Sequence, residues 1–237
     1  MKHVRLYQNA CLKIGAKLVL DDYGSHHLSR VLRFPQGQDI VVFNGDGFDY
    51  IATVLSVKKH CEVEIHECVK NQTESLLDIT LAQGVAKGEK MDFLIQKAVE
   101  LGVKRITPIL SNRCVVKLKG DKLKKRHQHW QKIVIGACEQ SGRSVIPILD
   151  EAVCFDEFIQ TVDNGFVLHH RANQSLLEVE KTTKATLIIG PEGGLTGDEI
   201  QSAIGQNCQP LLLGSRVLRT ETASLAAIAN MQLLWGS

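Results

Sequence analysis

No run in the 237 residues is long and apolar enough to cross a bilayer, which takes about 20 predominantly apolar residues. Nor does Met1-Lys2-His3-Val4-Arg5 lead into the apolar core of a signal peptide. A cytoplasmic protein with no membrane partner is expected. An excess of charge of one sign is also missing: 28 Lys and Arg stand against 26 Asp and Glu, a net of +2. Bulk charge therefore announces no nucleic-acid partner. The seven cysteines (Cys11, Cys61, Cys68, Cys114, Cys138, Cys154, Cys208) are odd in number, scattered, and nowhere spaced as Cys-x-x-Cys. This speaks against a disulfide framework or a zinc site and for reduced, mostly buried thiols. No Gly-x-x-x-x-Gly-Lys-Ser/Thr occurs, so a triphosphate-cradling loop is not expected. No Gly-x-Gly-x-x-Gly follows the first strand, which counts against an ordinary dinucleotide fold. His26-His27 and His169-His170 are adjacent pairs that a strand would point in opposite directions. They read as ordinary polar residues, and no metal is expected.

What is present is enough apolar residue, 44%, for a small domain and a medium one. Residues 1–70 read as a strand-rich module. Val4–Tyr7, Lys17–Leu20, Asp39–Phe43, Tyr50–Leu55 and Cys61–Ile65 are strand candidates, Asn44-Gly45-Asp46-Gly47 makes a hairpin, and His26–Arg33 suits one helix stopped before Pro35. Such a sheet is expected to roll into a small barrel. After the polar link 70–75 the pattern changes, and strands and helices alternate through 76–237. The helix at Lys90–Leu101 puts Met91, Leu94, Ile95 and Ala98 on one face, and a longer one runs from Asp121 to about Glu139. Alternation of this kind implies a parallel sheet covered by helices, so the fold class is α/β.

Two units near the end of the chain share one design. Leu187-Ile188-Ile189 leads into Gly190-Pro191-Glu192-Gly193-Gly194 and then a helix, with Thr196 and Glu199 spaced as a capping box. Leu211-Leu212-Leu213 reads as a second short strand, broken by Gly214 and followed by Ser215-Arg216-Val217-Leu218-Arg219-Thr220-Glu221-Thr222-Ala223 and an alanine-rich helix. Glycine loops at neighbouring strand ends let backbone approach a ligand with no Cβ in the way.

These two loops resemble the signature loops of the RsmE family, S-adenosylmethionine-dependent methyltransferases of the SPOUT class, and Glu139-Gln140-Ser141-Gly142-Arg143 resembles a third family segment. The resemblance implies a PUA-like β-barrel that binds RNA substrate (1–70), followed by a trefoil-knotted SPOUT domain (76–237) with a mostly parallel sheet. It implies S-adenosyl-L-methionine as cofactor, held by Gly190, Pro191, Glu192, Gly193, Leu213, Gly214, Val217, Leu218, Thr220, Thr222 and Ala223. It further implies a homodimer through the knot region, here the terminal helix Ser224 to Leu234. The partner would be small-subunit ribosomal RNA or the assembled small subunit, methylated at N3 of a uridine.

N3 of uracil is a weakly acidic imide, so methylation needs its proton removed or the resulting anion stabilised. A fixed guanidinium does the second, and Arg219 is the first candidate. Glu221 is either the base or a carboxylate that settles the helix N-terminus. Arg5 matches a residue that the family brings to the substrate, or is surface charge alone. Glu139 and Arg143 can equally form a structural ion pair. The run Lys117–His129, with Lys122, Lys124, Lys125 and Arg126, is the densest positive patch. With Arg5, Arg30 and Arg33 it reads as an RNA-facing strip, against the plain alternative of a solvated helix face. A non-catalytic RNA-binding protein of the same architecture is the competing reading. A phosphotransferase is a weaker one, lacking a lysine-bearing phosphate loop.

Overall fold

In the computed structural model, which describes residues 4–115, 120–162 and 165–236, the chain divides into two compact units. The first is Met1–Glu74 with Cys138–Ile146, the second Ser75–Ala137 with Pro147–Ser237. The segment Cys138–Ile146 thus belongs with the N-terminal residues, although its place in the sequence put it inside 76–237.

The first unit holds β1 (Arg5–Tyr7), β2 (Lys17–Val19), α1 (Asp22–His26), β3 (Asp39–Phe43), β4 (Phe48–Ser56) and β5 (Glu62–Lys70), in a sheet of order β1-β3-β4-β5-β2. Period-two alternation buries Tyr50, Ala52 and Val54 of β4 with Ile40, Val42, Val63 and Ile65. The turn between β3 and β4 takes positive φ at Gly45 and Gly47, which glycine tolerates. One expected helix differs. Asp21 caps α1 by accepting from Gly24 N–H at 2.7 Å, so the helix starts before His26. It then widens into a π-helical turn, His27–Val31, where Leu32 N–H reaches His27 C=O at 2.9 Å.

The second unit contains β6 (Asp78–Gly84), α2 (Glu89–Glu100), β7 (Arg105–Leu110), α3 (Asp121–Ser141, its last residues falling in the first unit), β8 (Ile148–Leu149) and β9 (Val153–Cys154). It continues with α4 (Phe155–Ile159), β10 (Gly165–Leu168), β11 (Lys184–Ile189), α5 (Gly197–Gly205), β12 (Gln209–Leu211) and α6 (Thr220–Trp235). Its strands pair in parallel in the order β12-β10-β11-β6-β7-β8, with β9 also on β7. From β6 the chain builds outward through β7 and β8, then returns to build β10, β11 and β12 on the other side. That reversal is where open parallel sheets bind ligands. Only Leu211 of the three leucines stays in a strand; Leu212 N–H turns to Gln174 C=O at 2.8 Å. No helix among the described residues is long and apolar enough to cross a membrane.

Candidate active site

The carboxyl ends of β10, β11 and β12 lie together in the sheet, and their loops enclose a cavity of about 360 Å³. Small-molecule sites run from about 300 to 1,000 Å³. The loop after β11 is shaped by its own backbone. Gly194 N–H donates to Pro191 C=O at 2.8 Å, with φ 69 at Gly194. A Cβ on Gly190 would stand 2.6 Å from Leu195 N, and one on Gly193 would be 3.1 Å from Arg113 Cβ. Glycine at these two positions is therefore required by the protein's own packing. Open space remains at Gly194, with nothing within 4 Å, and at Gly214, with φ 70 and only Arg216 Nη2 at 3.8 Å.

Long-range bonds hold this loop in place. Arg113 Nη1 donates to Gly193 C=O at 3.0 Å. The capping box forms as expected, Thr196 N–H to Glu199 Oε2 at 2.7 Å and Glu199 N–H to Thr196 Oγ1 at 3.2 Å. Glu199 Oε1 also accepts from Asn112 N–H at 2.8 Å. Beneath lies a buried polar network that the sequence did not announce. Gln83 Nε2 donates to Thr220 Oγ1 at 2.9 Å, Thr220 Oγ1 donates to Gly190 C=O at 2.6 Å, and Ser224 Oγ donates to Gln83 Oε1 at 2.6 Å. The network locks the start of α6 onto the ends of β6 and β11.

The charge in the cavity is mostly positive: Lys90, Arg113, Arg216 and Arg219 line it, with Glu192 as its carboxylate. Burial pushes the Glu192 pKa up. The Lys87 N–H at 3.0 Å, its own backbone amide and Lys90 at 3.5 Å outweigh that and hold it below the ordinary carboxylate value. Glu192 is thus a weak base and an anchor. His169 and His170 also line the cavity, with ring centroids 5.1 Å apart. Burial, then the neighbouring His170 and Arg171, press the His169 pKa down and favour the neutral ring. Reading the pair as ordinary polar residues missed this position, which only the strand order reveals.

Of the expected cofactor residues, Gly190, Pro191, Glu192, Gly193, Leu213, Gly214, Val217, Leu218, Thr220 and Ala223 line the cavity, and Thr222 does not. Arg219 lines it too, as the exposed N-cap residue of α6, and its side chain makes no capping bond. Glu221 is not part of the lining; it sits in the first turn of α6 with Oε2 buried and unpaired among the described residues. The first turn of a helix is a position that favours a carboxylate.

Arg5 is occupied inside the first unit. Its guanidinium donates to both Asp49 oxygens at 3.0 and 2.9 Å and to Ser144 Oγ at 2.6 Å, and it lies 5.1 Å from the Phe43 ring centroid. With its side chain 10% exposed, Arg5 is held by partners within the first unit. Arg143 pairs with Glu74, both bonds at 2.7 Å, while Glu139 accepts from Tyr7 N–H at 3.0 Å. Lys122, Lys124 and Lys125 are exposed on α3, and Arg126 is half-buried beside a second cavity that Trp130 also lines. Lys117 and Lys119 lie outside the described residues. No cluster of three or more His, Cys, Asp or Glu that could hold a metal occurs among the described residues.

Comparisons with known proteins agree with this layout. A family model described as an RNA methyltransferase domain matches residues 73–232, and one described as an RNA methyltransferase PUA domain matches 12–65. The fold is similar to that of a methyltransferase from Legionella pneumophila solved with SAM bound. The TM-score is 0.97 and the identity 38%, over 100% of both chains. It is also similar to a ribosomal RNA small subunit methyltransferase E from Neisseria gonorrhoeae bound to S-adenosyl methionine, with TM-score 0.93 and 38% identity over 99% of this chain and 98% of that one. The mixed α/β architecture with a PUA-like unit and a parallel sheet is therefore that of SPOUT methyltransferases. In sequence, the chain is 35% identical to the ribosomal RNA small subunit methyltransferase E of Buchnera aphidicola subsp. Schizaphis graminum, over 98% of this chain and 96% of the relative. Loops, cavity and relatives converge, and the chain belongs to the ribosomal RNA small subunit methyltransferase E family.

Proposed function

We propose that this protein transfers a methyl group from S-adenosyl-L-methionine to N3 of a uridine in small-subunit ribosomal RNA, on the naked RNA or on the assembled subunit. The observation that carries the reading is the cavity built from the two glycine loops, open at Gly194 and Gly214 and walled by Leu213, Leu218 and Ala223. These residues fit an amphipathic nucleoside cofactor: apolar walls for its flat body, and free backbone and cations for its polar ends. In a trefoil-knotted SPOUT domain the two loops and α6 would hold it. The cofactor, when bound, supplies a methyl already activated on a sulfonium, so no metal is required. Once the N3 proton has passed to solvent, Arg219 stabilises the imide anion by directing two N–H donors at one flanking carbonyl oxygen, O2 or O4. This leaves N3 open to take the methyl as the sulfonium S–C bond breaks and S-adenosylhomocysteine leaves. Lys90, Arg113 and Arg216 keep the cavity electropositive, which favours that anion further. Titration with S-adenosylhomocysteine tests the reading. Binding in a one-to-one ratio is expected, and no binding would leave the non-catalytic RNA-binding alternative.

The protein is expected to act as a homodimer through α6. That helix carries apolar residues beyond its buried face, and near its end Leu233 is 77% exposed and Leu234 37% exposed. Light scattering should give twice the chain mass; a monomer that binds cofactor tightly would overturn the dimer.

RNA is expected on Arg30 and Arg33 of the first unit and on Lys122, Lys124, Lys125 and Arg126 of α3. Each phosphate contact contributes a slope of about 0.9 in log affinity against log salt on duplex and about 0.7 on single strands. Changing the four α3 residues to Gln keeps helix propensity. If two of the four touch phosphate, the slope should fall by about 1.4 to 1.8. Parallel salt lines for variant and wild type would make this run a solvated helix face.

A further inference from the structure

The first unit carries a feature that its own fold does not explain. On α1 and the π-helical turn after it, the rings of Tyr23 and His27 stack with centroids 5.9 Å apart and planes at 20°. Tyr23 is 56% exposed, so this flat pair faces water. Its hydroxyl stands 3.5 Å from Glu139 Oε2, which steadies one edge of the ring. Three and six positions on from His27 come Arg30 and Arg33, both exposed, neither guanidinium paired among the described residues. Two carboxylates lie close by. Asp21 is engaged in capping, accepting from Gly24 N–H and Gln8 Nε2, and Asp22 lies in the first turn, at the other end of the segment.

The backbone here is held at a cost. A π-helical turn is rare and tends to mark functional sites. Arg33 ends it at φ 47, a left-handed conformation that helix ends normally give to glycine. Phe34 N–H closes the turn on Leu28 C=O at 2.8 Å, so the left-handed residue is fixed in place. An arginine that the fold would prefer as glycine, with its guanidinium free, is best explained by something outside the chain that the guanidinium binds.

We propose that Tyr23 and His27 form a stacking platform for an unpaired base of single-stranded RNA, with Arg30 and Arg33 on the flanking phosphates. This rests on the reading that the protein handles RNA, and it deepens that reading by naming the nucleotide-facing surface of the first unit. Stacking on an aromatic side chain tolerates any base, because every base has a π-face. The platform therefore grips the strand beside the target and does not itself choose the target.

The probe is an oligouridylate of about ten nucleotides, within the span that single-strand sites commonly cover, carrying one 2-aminopurine whose fluorescence falls when it stacks. Wild type should bind it with quenching. Tyr23→Ala should lose the quenching and weaken binding about tenfold or more, since a stacked base is worth roughly 1–3 kcal/mol. Tyr23→Phe should keep both. Arg33→Gly supplies the second arm: relief of the left-handed residue should raise the melting temperature while RNA affinity falls. Duplex RNA of the same length should show no quenching. The proposal is overturned if wild type does not bind the oligonucleotide, if Tyr23→Ala binds and quenches as wild type does, or if Arg33→Gly leaves RNA affinity unchanged. S-adenosylhomocysteine titrated into the same samples reads the cofactor site separately. A failed platform with intact cofactor binding thus leaves the methyltransferase reading standing, and lost cofactor binding with intact quenching does the reverse.

Discussion

Arg219→Ala is expected to slow single-turnover methyl transfer about 100-fold or more while S-adenosylhomocysteine affinity stays within a few-fold. The asymmetry follows from where the side chain sits. Arg219 lines the cavity at the N-cap of α6 but its side chain spends no hydrogen bond on the helix, so truncating it leaves no broken cap. Its donors act on charge that exists only once the imide gives up its proton, and they contribute little to the resting cofactor complex. Lys at this position should recover only part of the rate, because a point charge cannot give two parallel bonds. Equal single-turnover rates for wild type and Arg219→Ala at saturating cofactor would reassign the residue to a structural role. Glu221→Gln is the natural companion. A base would show a collapsed rate, whereas the helix-end carboxylate described above would show a modest loss of stability and nearly normal chemistry.

The second large effect is expected from one methyl group. A Cβ on Gly84 would lie against Pro191 N, 2.5 Å from Pro191 Cδ and 2.8 Å from Gly190 C. These are backbone and ring atoms that cannot swing aside, so Gly84→Ala must displace the loop that forms one wall of the cavity. Overpacking of this kind costs about 1–3 kcal/mol. For a chain of this size a loss of 2 kcal/mol lowers the melting temperature by roughly 4–8 °C. Cofactor affinity should fall tenfold or more with it, since Gly190 also anchors Thr220 of the buried network. Gly136→Ala is the control: it lies within α3, nothing stands within 4 Å of its Cβ position, and helix propensity predicts a small gain of up to about 1 kcal/mol. Gly84→Ala with normal melting and normal cofactor binding would show that the Gly190 loop can shift without consequence.

Neither Gly84 nor Gln83 stood out in the sequence. Each ends an ordinary strand, and its importance comes from Pro191 and Thr220, which are more than a hundred positions away. Arg113 was missed for the same reason, since its bond to Gly193 spans eighty positions. The partners of Arg5 were equally out of reach, since an isolated arginine on a strand gives no sign of Asp49 and Ser144, which come from distant parts of the chain.

By itself the sequence determined what depends on neighbours in the chain. Period-two and helical patterns placed the strands and helices, because burial of one face is a local periodicity. Thr196 and Glu199 announced their capping box, because its bonds close within one turn. The glycine loops marked the crevice, and most of the residues read from them do line it. The tertiary structure decided what depends on strand order and long-range approach. It brought the ends of β10, β11 and β12 together, so His169 and His170 became cavity walls. It turned Arg219 into the cavity and left Glu221 at the helix end, although the two are separated by a single residue. Arg219 is the N-cap with extended backbone while Glu221 lies in the first helical turn, so their side chains leave the chain in different directions. Only the neighbouring strands fix which direction is the cavity.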